Sequence, residues 1–331
     1  MNAPLVLNVR GLFKYFPVRQ SLWDVLMHRP QKNVKAVDDV SFTLKRGEVL
    51  AVVGESGCGK TTIARTLIGL EEPTRGDILF EDQSVGQGKT VSLKELRLHA
   101  QMIFQDPYES LNPRSTVYDI VSEPLEVHGL LKNRDERMAR VRAAMEDAGL
   151  RPVEDYLNRY PHELSGGQRQ RVVIAGAMVL EPKLLIADEP VSMLDVSIRA
   201  EILNLLRELR QKRGVSLVFI THDLSTVAYF ADRIAVMYLG RIVEMGTAHE
   251  VLTNPQHPYT KALISVIPVP NPRLRRERLI LQGETPNPID LPSGCRFHPR
   301  CPVAMERCKV EDPAYIHIGS DHQAACLLLQ K

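Results

Sequence analysis

The sequence predicts an α/β fold whose core is a largely parallel β-sheet with crossover helices. The short apolar run Val49–Val53 is predicted to be a buried strand, and a glycine-rich loop and a helix follow it. Between residues 184 and 246, strand-like and helix-like stretches alternate, as they do when parallel strands are joined by helices. Residues from about 113 to 182 have mainly helical character, which predicts a helical subdomain.

The glycine-rich loop has the spacing of a phosphate-binding loop. It fits the pattern G-x-x-x-x-G-K-[ST] with the sequence Gly54-Glu55-Ser56-Gly57-Cys58-Gly59-Lys60-Thr61. Glycines let the backbone approach anionic oxygens, and the amide groups that begin the next helix complement negative charge. We expect Lys60 to reach the β- and γ-phosphates, the Thr61 hydroxyl to bind Mg²⁺ and Thr62 to extend the site. A turn with a chance lysine would not explain the flanking strand and helix.

A second apolar run ends in the acidic pair Asp188 and Glu189. A carboxylate at a strand end beside a phosphate-binding loop is suited to hold Mg²⁺ directly or through water, and we assign this role to Asp188. Glu189 is then the candidate base that orients the attacking water. The pair by itself could be ordinary surface charge, but the loop upstream favours the catalytic interpretation.

Two further polar residues follow apolar strands in the same way. Gln105 comes directly after the run that ends at Phe104, and its amide could contact Mg²⁺ or water. His222 follows a third strand, where an imidazole can hydrogen-bond a γ-phosphate and respond to its loss. A single such residue is usually structural, but their joint placement at strand ends favours a role at the nucleotide.

Composition excludes several classes of function. The 331 residues allow one large domain and a smaller appendage, and the balance of 42 basic against 40 acidic residues gives a net charge of +2. This balance makes no electrostatic case for binding nucleic acid or an anionic membrane. The sequence has neither an unbroken apolar run long enough to span a bilayer nor a signal-peptide pattern at its start, so a cytosolic location is expected.

Composition changes near Asn254, which predicts one domain over residues 1–253 and a carboxyl-terminal tail over 254–331. The tail is rich in proline, as extended linkers are, and it carries a basic cluster at Arg273, Arg275, Arg276 and Arg278.

Four of the five cysteines also lie in the tail, at Cys295, Cys301, Cys308 and Cys326. Cytosolic chains rarely keep structural disulfides, so thiols this crowded suggest a metal site. Their spacing matches neither the common zinc-finger pattern nor the ferredoxin run, and it leaves zinc, an iron–sulfur cluster and free thiols open.

Taken in order, these motifs resemble those of the ATP-binding-cassette (ABC) ATPases over roughly residues 5–255. The resemblance adds the signature segment Leu164–Gln168 and the segment Ser192–Asp195. It implies a cassette with a RecA-like parallel-sheet core, an antiparallel β subdomain and a helical subdomain. In this family two cassettes form a sandwich, and the γ-phosphate held by one loop is capped from the other copy by Ser165, Gly166, Gly167 and Gln168. A simple helix cap at Ser165 is the alternative, and both roles can coexist.

Two more roles follow from the resemblance alone. Asp195 matches the loop that crosses the seam between the cassettes, and Phe16 matches the aromatic residue that stacks on adenine. Tyr15 is the alternative to Phe16, since the match can shift by one residue, and a core aromatic at this position is the other interpretation.

A narrower resemblance covers nearly the whole chain and rests on Phe104–Tyr108, Ser110–Arg114, Asn254–Thr260 and Gly294–Pro302. These segments look like the dipeptide/oligopeptide (and nickel) importer subfamily, and most like its F-type ATPase subunit. The likeness implies an ATPase that energises import from the cytoplasmic face of the inner membrane. Its implied partners are a sister ATPase subunit, two transmembrane permease subunits and an extracytoplasmic substrate-binding protein.

The same likeness implies a [4Fe-4S] cluster on the four tail cysteines, with zinc as the alternative. His298 is better interpreted as a surface histidine than as a substitute ligand. The alternatives to peptide import are nickel or glutathione as cargo, a soluble cassette protein acting on ribosomes or DNA, and a phosphate-loop kinase. The soluble proteins generally carry two cassettes or a long coiled-coil insert, which this chain lacks. A kinase would leave the signature segment unexplained.

Overall fold

The computed structural model describes residues 4–20, 23, 26–28, 30–267, 278–319 and 321–330. Residues 268–277 of the proline-rich tail, with Arg273, Arg275 and Arg276, lie outside the described residues. Contacts within the chain divide it into two compact units. The first unit comprises Met1–Leu7, Thr43–Val49 and Leu79–Ile220, and the second comprises Asn8–Phe42, Leu50–Ile78 and Thr221–Lys331.

The described strands, in chain order, are β1 (Leu5–Pro17), β2 (Asn33–Lys45), β3 (Val49–Val53), β4 (Arg75–Phe80), β5 (Gln83–Ser84), β6 (Ala100–Ile103), β7 (Leu184–Asp188), β8 (Ser216–Thr221), β9 (Arg233–Tyr238), β10 (Arg241–Thr247), β11 (Ile316–His317) and β12 (Gln323–Ala324). The described α-helices are α1 (Lys60–Leu67), α2 (Leu93–His99), α3 (Pro107–Ser110), α4 (Val117–Val127), α5 (Arg134–Asp147), α6 (Glu154–Leu157), α7 (Gly166–Met178), α8 (Val196–Arg213), α9 (Leu224–Val227), α10 (Ala248–Thr253) and α11 (Pro258–Ser265).

In the first unit, β6, β7 and β8 form a parallel sheet. Leu184 pairs with Ala100 on one side and with Ser216 on the other. Every residue of β7 and β8 is buried, which explains why their sequences are continuous apolar runs and do not alternate with polar residues. Because parallel strands end at the same edge of a sheet, the residues that follow β6 and β7 come together there.

The helical part predicted near residues 113–182 corresponds to α4 through α7. Thr116 caps α4 in a capping box with Asp119, and the Asn133 side chain caps α5. Both of these helices pack against α7, burying apolar residues such as Val121 and Met145. The helical subdomain is therefore held together by a shared apolar face.

The second unit contains the strand that precedes the phosphate-binding loop. Here β3 runs parallel to β9, β9 pairs antiparallel with β10, and β10 continues through β12 to β11. A separate sheet has four strands in the order β2-β1-β4-β5, and β4 and β5 pair antiparallel. The mixture of parallel core and antiparallel sheet agrees with the predicted fold class.

The carboxyl-terminal tail joins the second unit through a buried carboxylate. Glu244 in β10 is fully buried, and its oxygens accept hydrogen bonds from the backbone amides of Gln256 at 2.7 Å and His257 at 2.8 Å. Nε2 of His322, from the segment before β12, lies 2.7 Å from the same carboxylate. A buried charge is costly unless several polar groups surround it, so these contacts fix the tail on β10.

The tail also contributes to the apolar core of the second unit. The rings of Tyr238, Tyr259 and Phe297 contact each other with centroid distances between 4.8 and 5.4 Å, and all three are buried. The boundary at 253/254 stays a prediction about domains, while contacts place the tail in the same compact unit as the loop. None of the helices in the described part of the chain is both long and apolar enough to span a bilayer.

Candidate nucleotide-binding site

The phosphate-binding loop connects β3 to α1 and depends on glycine. Gly59 has φ +107°, and a Cβ atom at this position would collide with the carbonyl oxygen of Ala36. The loop can therefore turn into α1 only with glycine at this position. Gly59 is also the N-cap residue of α1. Glycine has no side chain that could cap the helix, so this residue leaves the backbone amides of the first turn available to another acceptor. Thr61 and Thr62 lie in this first turn, half-buried.

Lys60 is folded back over the loop. Its side chain is buried, and Nζ donates hydrogen bonds to the carbonyl oxygens of Gly54 at 2.8 Å and Glu55 at 2.9 Å. The Sγ atom of Cys58 lies 3.8 Å from the same ammonium group. Burial raises the pKa of this thiol, so Cys58 acts as a small neutral residue inside the loop.

Glu55 differs from the other loop residues because its polar groups already have partners in the tail. Its amide donates to the Tyr259 hydroxyl at 2.9 Å, and its carboxylate accepts from the guanidinium of Arg300 and the hydroxyl of Thr285. Burial opposes ionisation of Glu55, but these two hydrogen bonds outweigh it and lower the pKa. By contrast, Ser56 and Gly57 are exposed.

In the first unit the structure brings Gln105 and Glu189 together. Nε2 of Gln105 donates to Oε2 of Glu189 at 3.1 Å, as expected for residues that follow neighbouring parallel strands. Glu189 has φ +46°, a strained value for this residue type, and its amide and carbonyl groups are bonded to Ile220 and Ser192. Asp188 ends β7 and is buried. The strained backbone holds the glutamate at the end of the sheet.

The signature segment forms the start of α7. Ser165 is the N-cap residue, and it exchanges two hydrogen bonds with Gln168 in a capping box. A Cβ atom on Gly167 would lie 2.7 Å from Cγ2 of Ile198, so glycine permits α7 and α8 to pack closely. Asp195 is exposed and caps α8 by accepting from the amide of Ile198 at 3.0 Å. Within a single chain these side chains act as caps.

The two aromatic candidates for stacking on adenine have different surroundings. The Tyr15 hydroxyl donates to Asp38, a buried carboxylate that also pairs with Arg296 of the tail. Phe16 has no polar group to satisfy, and Nζ of Lys14 lies 4.8 Å from its ring centroid. The assignment of Phe16 to adenine stacking stays a prediction, with Tyr15 as the alternative. His222 is exposed at the end of β8.

The four tail cysteines are free thiols; Cys295 and Cys301 are half-buried, and Cys308 and Cys326 are buried. Burial first, and the neighbouring thiol groups second, raise the pKa of Cys295 to about 11, and burial raises those of Cys301 and Cys326. The amide of Met305 donates to Sγ of Cys308 at 3.4 Å. Among the described residues, however, no three His, Cys, Asp or Glu side chains are grouped so as to hold a metal ion. The predictions of a [4Fe-4S] cluster or zinc therefore have no structural support.

The sequence motifs did not reveal the tail residues Arg300, Thr285 and Tyr259 as partners of the phosphate-binding loop. Arg300 and Glu55 are 245 positions apart, and no local pattern links residues at such a distance. The segment Asn254–Thr260 was noticed only as part of a family likeness.

Comparison with known proteins agrees with this geometry. The family described as "ABC transporter" matches residues 37–192, and the family described as "Oligopeptide/dipeptide transporter, C-terminal region" matches residues 243–308. The chain is 48% identical over 330 residues to the oligopeptide transport ATP-binding protein AppF of Bacillus subtilis, covering 99% of this chain and 98% of that protein. It is 49% identical over 312 residues to the dipeptide transport ATP-binding protein DppF of Haemophilus influenzae, covering 94% of this chain and 93% of that protein.

Solved structures support the same fold. The ATP-binding cassette MJ0796, in a dimeric post-hydrolysis state with ADP and Pi, aligns with a TM-score of 0.62 at 26% identity, covering 73% of this chain and 98% of that one. The cbiO1 protein of Clostridium perfringens aligns with a TM-score of 0.63 at 31% identity, covering 76% of this chain and 92% of that one. The cassette fold and the ATPase class predicted from the motifs are thereby confirmed. The chain belongs to the ABC transporter family and carries the carboxyl-terminal region of its oligopeptide/dipeptide transporters.

Proposed function

We propose that this chain hydrolyses ATP to energise a membrane importer of dipeptides or oligopeptides. The observation that carries the proposal is the coexistence of a complete phosphate-binding loop with a tail of the oligopeptide/dipeptide transporter type. Two relatives similar over nearly their whole length are named for oligopeptide and dipeptide transport. The phosphate-binding loop alone would fit any cassette ATPase, whereas the tail is the feature that indicates an oligopeptide/dipeptide transporter.

The residues of the loop bind the nucleotide, with Phe16 against the adenine. Lys60 leaves the carbonyl oxygens of Gly54 and Glu55 and binds the β- and γ-phosphates, while the amides at the start of α1 face the same oxygens. Mg²⁺ suits the oxygen ligands offered by Thr61, Gln105 and Asp188, and it would neutralise charge on the phosphates.

Glu189 orients the attacking water and accepts its proton as the general base. Gln105 already donates to its carboxylate, so the amide can hold that group in position. His222 contacts the γ-phosphate as a sensor of its presence. We assign Ser165, Gly166, Gly167 and Gln168 of this chain to cap the γ-phosphate bound by a second cassette, with Asp195 at the seam between the two.

The coupling to transport is a difference in ATP affinity between open and closed pairs of cassettes. ATP favours the closed pair, closure moves the membrane subunits, and hydrolysis reopens the pair. The chain would lie at the cytoplasmic face of the inner membrane on two permease subunits. A non-identical sister ATPase completes the pair, and an extracytoplasmic binding protein selects the cargo.

We retain a [4Fe-4S] cluster on Cys295, Cys301, Cys308 and Cys326 as a proposal, supported only by the clustering of these cysteines in the sequence of the tail. Iron and acid-labile sulfide should be measured on the native complex purified without oxygen. Four iron atoms per chain would support the cluster. Stoichiometric zinc, or the absence of both metals, would contradict it.

The decisive experiment is purification of the native complex through a tag on this chain. We expect two polytopic membrane subunits to co-purify, and ATP turnover in liposomes to rise when a peptide-loaded binding protein is present. Lys60→Ala in the same complex serves as the inactive control. Turnover that responds to nickel or glutathione and not to peptides would contradict the assigned cargo, and a chain recovered without membrane subunits would contradict the transport role.

A further inference from the structure

The carboxyl-terminal tail contacts the phosphate-binding loop at Glu55, the second residue of the loop. Nη1 of Arg300 lies 2.7 Å from Oε2 of Glu55, and Nη2 lies 3.1 Å from Oε1, so the guanidinium binds both carboxylate oxygens. The Thr285 hydroxyl adds a third hydrogen bond at 2.8 Å. The Arg300 side chain is only 9% exposed and that of Glu55 29%, which partly shields the pair from water.

The backbone of Glu55 is held by the tail as well. Its amide donates to the hydroxyl oxygen of Tyr259, a buried residue of α11. Tyr259 is itself fixed by ring contacts with Tyr238 at 4.8 Å and Phe297 at 5.4 Å. Burial raises the pKa of this phenol above its ordinary value, so the hydroxyl stays neutral. Glu55 is therefore restrained at both its main chain and its side chain.

This restraint reaches the lysine that binds phosphate. The carbonyl oxygen of Glu55 accepts a hydrogen bond from Lys60, as does that of Gly54. A nucleotide must replace these bonds when it recruits Lys60, so the position of Glu55 affects how readily the lysine is released. Arg300 also neutralises a carboxylate that would otherwise repel the triphosphate from the loop.

We propose that the tail sets the ATP affinity of the loop, with Arg300 as a positioning residue that acts through Glu55. This inference rests on the proposed function only in assuming that the loop binds ATP. It gives the tail a role in nucleotide binding that is independent of the proposed metal site at its cysteines. Neither family description assigns such a contact.

The test measures ATP affinity of the full chain by titration calorimetry. Arg300→Gln should weaken ATP binding about tenfold, because it removes a partly buried bidentate pair and leaves the carboxylate without its counter-charge. Arg300→Lys keeps the positive charge but loses the planar group that binds both carboxylate oxygens. Its ATP affinity should lie between those of the unaltered chain and Arg300→Gln. KM for ATP should rise in the same order, while kcat at saturating ATP changes less.

Arg307→Gln is the matched control. Arg307 forms a bidentate pair with Glu311 in the same part of the tail, but that pair lies on the surface, and no described contact joins it to the loop. Its removal should leave ATP affinity unchanged. The double variant Glu55→Gln/Arg300→Gln should bind ATP no more weakly than Arg300→Gln alone, because both changes act on one pair.

Unchanged ATP affinity in a folded Arg300→Gln variant would overturn the inference, as would strictly additive effects in the double variant. If Arg300→Gln fails to fold, Thr285→Val removes one hydrogen bond at the exposed edge of the same site. It should weaken binding about threefold, a modest loss typical of one hydrogen bond, and equal affinity there would count against the inference. Failure of the unaltered chain to bind ATP would contradict the proposed function itself, an outcome distinct from equal binding by all variants.

Discussion

The phosphate-binding loop in the second unit and the signature segment in the first unit are supported in different ways. The loop is restrained from within its own chain: Lys60 is only 6% exposed and Glu55 is bound to the tail. In the signature segment, Ser165 is exposed, and its hydroxyl accepts a hydrogen bond from the amide of Gln168 in its own helix. The nearby Met193 and Val196 are 60% and 79% exposed.

The difference separates what the chain completes alone from what it leaves to a partner. The tail holds Glu55 at its amide and its carboxylate, and such preorganisation of the loop lowers the cost of ordering it on binding. A surface that serves a second cassette remains accessible, and exposed apolar residues beside a cap are suited to such contact. The following predictions test this contrast.

The largest effect is expected from Glu189→Gln. Loss of the base should reduce phosphate release by roughly 100-fold or more while ATP remains bound, because general-base catalysis contributes on that scale. Phosphate release and retained nucleotide are measured on the same sample. Glu208→Gln, an exposed glutamate of α8, is the control. Undiminished phosphate release in the Glu189 variant would remove this residue from the mechanism.

Lys60→Ala should weaken ATP binding itself, by about 10- to 100-fold, since charged hydrogen bonds contribute roughly 1.5–3 kcal/mol each. Titration of the full chain with ATP measures the change, with Lys212→Ala as a matched surface control. This result would confirm that the loop carries the affinity without help from a second chain. ATP affinity equal to that of the unaltered chain would refute the assignment.

Two substitutions of Ser165 distinguish its role as a helix cap from a role in phosphate contact. Ser165→Asp keeps an N-cap side chain but places a negative charge where a γ-phosphate would approach, whereas Ser165→Ala loses the cap at a cost of about 1 kcal/mol in stability. We expect Ser165→Asp to unfold at the temperature of the unaltered chain and still lose turnover of the paired cassettes by roughly tenfold or more. Full turnover in this variant would restrict Ser165 to capping.

The last prediction concerns the stability of the tail at acidic pH. Burial lowers the pKa of His257, the N-cap residue of α11, from 6.5 to about 3. A neutral ring in the folded chain stabilises it fully above pH 6.5, and this stability is lost as the pH falls from 6.5 toward 3, because the unfolded chain binds the proton. The slope is at most about 1.4 kcal/mol per pH unit.

The prediction is checked by thermal unfolding between pH 7 and pH 4. His257→Asn retains a capping side chain but cannot titrate, so its unfolding temperature should fall less steeply with acid. His249→Asn, at an exposed position of α10, should follow the unaltered chain. Parallel profiles for all three proteins would show that His257 does not govern the acid response.

Much of the site could be predicted from sequence because its chemistry is local. The spacing of the glycines and Lys60 is carried by the consecutive residues 54–61, and the strand ends that carry Gln105 and Glu189 follow from apolar runs. The atom that requires glycine at Gly59, the carbonyl oxygen of Ala36, is distant in the chain and was not predicted. For Gln105 and Glu189, the sequence predicted only that each follows an apolar strand, and it did not predict the bond between their side chains. A helix cap at Ser165 was the alternative interpretation of the signature segment, and its capping box with Gln168 depends on four consecutive residues.

By itself, the sequence determined the cassette fold, the phosphate-binding loop and the class of ATPase, because each depends on short-range geometry and on the order of elements. Only the tertiary structure decided that the tail packs into the same unit as the loop and that Arg300 binds Glu55. Such a pair forms when two segments far apart in the chain fold onto one core. The sequence around an arginine or a glutamate does not indicate which distant residue it will pair with in the folded chain.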